Sequence, residues 1–179
     1  TNLGKAAVTT AVVSRGGGRV TAETGTGGTG RAARFPTHAP DAGGQAAVIR
    51  IRNSGTGDAL NPYIHRLELG ADVWLDAGSD TPGSADDGDN VLQRGLYDDV
   101  TQYKLQVDGG RPMCRIKGRS GAVEVTSPVT VVPQRWYRLT CVRDGGKVVL
   151  SVTSWASDGT PSTTTTQRVG PTGSLTPAA

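Results

Sequence analysis

The stretch QYKLQVDGGRPMCRIKGRSGAVEVTSPVTVVPQRWYRLTCVR, residues 102–143, decides the fold. Tyr103, Leu105 and Val107 alternate with Lys104, Gln106 and Asp108, the period-two signature of a half-buried strand. Asp108-Gly-Gly-Arg-Pro supplies a turn, and residues 113–117 run back carrying Cys114. Val123 and Val125 alternate with Glu124 and Thr126. Tyr137, Leu139 and Cys141 then alternate with Trp136, Arg138 and Thr140. Four short strands broken by Gly and Pro turns are expected, with one cysteine in the second and the other in the fourth.

The same period spreads outward from this stretch. Ala47, Ile49 and Ile51 alternate with Val48, Arg50 and Arg52; Leu67, Leu69, Ala71, Val73 and Leu75 alternate with Glu68, Gly70, Asp72 and Trp74. Further strands are expected at residues 6–14, 19–22 and 91–95, and a last one carries Val148, Leu150 and Val152. The 26 Gly and 10 Pro suit many short strands joined by tight turns. Nine or more strands with almost no helical period predict an all-β fold, an antiparallel β-sandwich or jelly roll, over residues 1–156. From Ser157 onward Ser, Thr, Gly and Pro dominate, and residues 157–179 read as a tail or linker. Gly25-Thr-Gly-Gly-Thr-Gly30 matches GxGxxG, but the segment before Pro36 is too short for the helix a dinucleotide site needs, so it reads as a loop.

Composition bounds the function. No apolar run approaches the roughly 18 residues of a membrane span. No charged-then-apolar leader opens the chain, which fits a cytosolic protein or a mature product whose leader is gone. The two cysteines fit neither CxxC nor a zinc spacing with histidine. They are two buried thiols or a disulfide, and the disulfide is preferred; closing such a loop stabilises by about 3.5 kcal/mol and implies an oxidising compartment, hence secretion. The net charge of +3 hides an asymmetry. Residues 72–99 hold eight acidic groups against Arg94 alone, while residues 104–147 hold nine basic groups against three acidic ones.

Four segments together carry a family resemblance: GADVWLDAGSD (70–80), GDNVLQRG (88–95), QYKLQVDGGRPMCRIKG (102–118) and WYRLTCVRDG (136–145). Over about residues 31–152 the chain resembles a laminin-G-like, concanavalin A-type jelly roll of secreted actinobacterial proteins. The resemblance implies a disulfide between Cys114 and Cys141 pinning neighbouring strands. It also implies binding of glycans or proteins outside the cell, and for some members calcium at the rim. Family members close the sandwich with a Gly-x-Ile-Asp-x-Val strand, and no such segment follows Trp155. The open sheet edge would be filled by residues 6–14, by chain beyond this piece, or by a partner's strand, the last a route to homo-oligomers.

Candidate chemistry follows from residue types and spacing. A retaining glycosidase needs two carboxyls about 5–5.5 Å apart, and Glu68 and Asp72 share a strand face on which a sugar could stack against Trp74. A solvated polar face with one exposed Trp is the preferred account of the same residues. His38 and His65 are the only histidines and no GxSxG elbow exists, which leaves nucleophilic catalysis without a constellation. Tyr63, His65 and Arg66 offer a thin lyase alternative. Asp76, Asp80, Asp86, Asp87 and Asp89 crowd a Gly-rich loop, offering hard oxygen ligands to calcium, with a solvated acidic loop as the plainer account. Arg111, Arg115 and Lys117 fall near one hairpin and Arg138 on a strand expected beside it. If those strands neighbour each other, the cations line one outer face suited to anionic glycans. Aromatics do not interleave with them, which argues against nucleic acid. The leading expectation is a secreted, non-catalytic binding module for an extracellular polysaccharide, anionic ones included, or a protein. The alternatives are an assembly subunit completed by strand exchange and a glycan-cleaving enzyme.

Overall fold

In a computed structural model that describes residues 7–37, 44–55, 58, 60–77 and 88–176, the regular elements are all strands apart from one 3-10 turn. The chain divides into two compact units, residues 1–61 and 62–179.

In the first unit, β1 (Val8–Arg15) pairs antiparallel with β4 (Ala46–Asn53), and β2 (Thr21–Thr24) with β3 (Arg31–Arg34). The GxGxxG run is the β2–β3 hairpin loop, closed by Gly25 N–H donating to the Gly30 carbonyl at 3.3 Å. Strand β1 is thus committed to β4 and does not fill a slot in the large sheets described below.

The second unit is the sandwich. Its strands are β5 (Leu67–Trp74), β6 (Asp89–Arg94), β7 (Gln102–Asp108), β8 (Arg111–Gly118), β9 (Gly121–Thr126), β10 (Trp136–Asp144), β11 (Lys147–Trp155) and β12 (Pro161–Val169). One sheet has the order β12-β11-β10-β5 and the other β6-β7-β8-β9, all antiparallel. Period-two alternation sends one side of each strand inward. Leu105, Cys114, Ile116, Leu139, Cys141, Val148 and Leu150 have no exposed surface and form one core between the layers. The disulfide joins Cys114 of β8 to Cys141 of β10, with Cα atoms 6.1 Å apart. It therefore clasps opposing sheets, and does not pin neighbouring strands as the resemblance implied.

Residues 157–179 are not a tail as far as they are described. Strand β12 runs alongside the whole of β11, from Trp155↔Pro161 to Lys147↔Val169. Five of its nine residues are Ser or Thr, spread over both faces, so no hydrophobic alternation marks it; β-branched Thr nonetheless suits a pleated strand. Beyond it the chain folds under the sandwich. Arg119 N–H donates to the Ser174 carbonyl at 2.9 Å and Ser120 N–H to the Thr172 carbonyl at 3.1 Å, while Leu175 is fully buried in the core. Gly118 makes this crossing feasible, because a Cβ there would collide with the Thr172 carbonyl.

The β11–β12 turn is fastened by Asp158, whose Oδ1 accepts from Thr160 N–H at 2.9 Å. Backbone and side-chain hydrogen bonds from Thr160 favour the ionised carboxylate and hold the Asp158 carboxyl below its ordinary value. A depressed carboxyl stabilises the turn above the unfolded-state pKa, and the contribution is lost as pH falls through the folded-state value. In an NMR titration the Thr160 amide should hold its position through the ordinary carboxylate range and shift only at lower pH. A shift at the usual aspartate pKa would show the clasp to be inert.

Candidate functional site

The chain has three tryptophans, and all three stand in one row. Trp74 ends β5 and Trp136 opens β10, directly opposite each other in the register. Trp155 ends β11 next to Ser154, the partner of Tyr137, and so falls beside Trp136. All three sit on the side of their strand away from the core, because Val73, Tyr137 and Val152 take the inward positions. The Trp74 and Trp136 rings lie 5.7 Å apart, tilted by 57°. Trp74 is 42% exposed. Indoles normally carry much of a core's apolar area, so three of them on one solvated face, at the same end of three adjacent strands, form an aromatic platform.

Two residues further along the strands runs a polar row. Arg138 binds Asp72 with both prongs, Nε to Oδ1 at 2.7 Å and Nη2 to Oδ2 at 2.9 Å. The hydrogen bond first, and the carboxylate charge second, raise the Arg138 pKa above its ordinary value. The Arg138 guanidinium also lies 5.7 Å from the Trp155 ring centre, tying the two rows together. Further across the sheet hydroxyls meet in pairs, Thr153 with Thr163 at 2.8 Å and Ser151 with Thr165 at 3.2 Å. Beside the salt bridge is a shallow open hollow of about 480 Å³, lined by Glu68, Gly70, Asp72, Arg138 and Thr140 among others. Gly70 floors it: a Cβ at that position would come within 2.6 Å of the Leu139 carbonyl.

The chain matches no family model, no curated protein and no solved structure.

Of the residues singled out in the sequence, Trp74 and Arg138 lie on this face. Arg111, Arg115 and Lys117 do not. β8 is flanked by β7 and β9, and β10 by β11 and β5, so the condition for a shared cationic face is not met. The β8 cations point outward from the opposite sheet, and each is engaged. Arg111 donates to the Ser127 carbonyl at 3.1 Å, Arg115 pairs with Glu124 at 3.1 Å under the Tyr97 ring, and Lys117 donates to the Tyr97 carbonyl at 2.9 Å. Glu68 and Asp72 do share the outer face of β5, yet four residues of strand separate their Cα atoms by about 13 Å. Glu68 is held by Arg66 at 2.6 Å and Asp72 by Arg138, so the two carboxylates form no converging acid–nucleophile pair.

Of the acidic loop, Asp80, Asp86 and Asp87 lie outside the described residues, and among the described residues no group of three or more metal-binding side chains converges around Asp76 or Asp89. Tyr63 and His65, the thin lyase alternative, present backbone carbonyls to Arg143. Reasoning from the sequence missed Trp136 and Trp155 as site residues. The signal was available: both occupy the outward phase of strands whose inward phase is apolar.

Proposed function

We propose that this protein is an extracellular polysaccharide-binding module whose ligand lies on the outer face of the β12-β11-β10-β5 sheet. The observation that carries this reading is the row of Trp74, Trp136 and Trp155. A sugar ring presents an apolar C–H face suited to stacking on an indole, and an edge of hydroxyls suited to the neighbouring salt bridge and hydroxyl pairs. The platform lies on an open sheet face, as a long chain with no end group to enclose requires. The Cys114–Cys141 bond supports a location outside the reducing cytosol. The likeness of the four sequence segments to laminin-G-like modules points the same way.

The test is retention on a panel of immobilised polysaccharides. The protein should be retained by at least one, and Trp136→Ala should weaken that binding by about thirtyfold, the roughly 2 kcal/mol typical of a buried aromatic anchor. Unchanged retention of Trp136→Ala, with Trp74→Ala and Trp155→Ala equally unaffected, would remove the platform from the account.

A further inference from the structure

We infer that the ligand is an uncharged polysaccharide chain running across the strands, an inference that rests on the platform reading above. Charge decides the first part. On the four strands of this sheet the outward cations are Arg138 and Lys147, which stand opposite Asp72 and Asp144 in the register. Glu68 is a further outward carboxylate and is held by Arg66 at 2.6 Å, while Arg135, just before β10, donates to the Trp155 carbonyl at 3.2 Å. The strands themselves therefore carry no surplus of positive charge, and Arg138 has both prongs committed to Asp72. A sulfated or uronate chain needs unspent guanidinium or ammonium groups and would meet guanidinium groups already engaged by carboxylates or a carbonyl instead. Hydroxyls flank the salt bridge, supplied by Thr140 and the Ser151–Thr165 and Thr153–Thr163 pairs. Hydroxyls exchange hydrogen bonds with a neutral sugar without desolvating an ion.

The layout of the rows decides the direction. The indoles stand on three neighbouring strands, which lie about 4.8 Å apart, so the platform extends across the strands. The polar row runs parallel to it, two residues or about 7 Å along. A chain laid across the strands keeps successive rings over indoles while one hydroxyl edge faces Asp72, Arg138 and Thr153 throughout. A chain laid along β5 and β10 would leave the platform after one ring.

Tryptophan fluorescence titrations measure this with uncharged probes, the disaccharides and hexasaccharides of cellulose, xylan and mannan, and with polygalacturonate and heparin as anionic ones. The expected result is that an uncharged hexasaccharide binds at least tenfold more tightly than its disaccharide, and that added salt leaves its affinity within twofold. Trp74→Ala and Trp155→Ala, at opposite ends of the row, should each weaken the hexasaccharide at least tenfold while leaving the melting temperature in place. Tighter binding of polygalacturonate or heparin, weakening as salt is added, overturns the neutral-ligand inference and leaves the platform reading standing. A hexasaccharide sensitive to Trp74→Ala but not to Trp155→Ala overturns the crossing direction. Failure of every probe, charged or uncharged, overturns the platform reading itself.

Discussion

Replacing Arg143 with methionine is expected to destabilise the sandwich by about 4 kcal/mol, lowering its melting temperature by about 15 °C. Arg143 lies on the inward phase of β10, in line with Tyr137, Leu139 and Cys141, and is only 2% exposed. Among the described residues no carboxylate forms an ion pair with it. Its guanidinium donates instead to the carbonyls of Gly145 at 3.2 Å, Tyr63 at 3.3 Å, His65 at 3.1 Å and Gly173 at 2.6 Å, and to Thr172 Oγ1 at 3.2 Å. Burial pushes its pKa below the ordinary arginine value, and Asp144 partly opposes the shift. One side chain thus ties the segment before β5 and the segment after β12 to the central strand. Methionine fills similar volume but strands those acceptors, each of which is costly to leave unpaired when buried. Arg143→Lys should recover only part of the loss, because an ammonium cannot fork among acceptors on three segments. Calorimetric melting within about 3 °C of the parent for the methionine variant would show the clamp to be ornamental.

Removing the disulfide by the double substitution Cys114→Ala and Cys141→Ala should destabilise by about 3.5 kcal/mol. The 27-residue separation sets the size of that loop, and its closure across the two layers sets what is lost. Both sulfurs sit at fully buried positions, so the reduced chain must still pack the two sheets against each other without the bond. Denaturant unfolding of the oxidised protein, the reduced protein and the double variant separates bond from packing. The reduced protein should fall with the double variant. A reduced protein as stable as the oxidised one would sink the prediction.

The sequence made the core strands legible because their two faces differ. In β7, β8, β10 and β11 the inward phase is apolar apart from Arg143 and Ser154, and the structure buries those apolar residues. Alternation reveals which face a residue takes and says nothing about which strand lies alongside. That is why the alternation turns Cys114 and Cys141 inward as the structure has them, yet cannot tell that β8 and β10 lie in different sheets with their cations on opposite faces. Strand β12 was illegible for a different reason: Thr and Ser satisfy a strand sterically on either face, so no hydropathy contrast remains. Arg143 was legible in principle, as a charged residue in an inward phase. Only the carbonyls of distant segments, brought in by the fold, explain how it is tolerated there.

Asp72 and Arg138 are 66 residues apart in the chain, and the rest of the β5–β10 ladder spans comparable distances. During synthesis, β5 therefore emerges and waits while the whole β6-β7-β8-β9 sheet is made, and Trp74 has no neighbour until β10 arrives. The layer facing β6-β7-β8-β9 is completed only when β12 and Leu175 leave the ribosome. A nascent chain halted before β10 holds one of the three indoles and an uncovered apolar sheet, the state a chaperone or a protease would meet first.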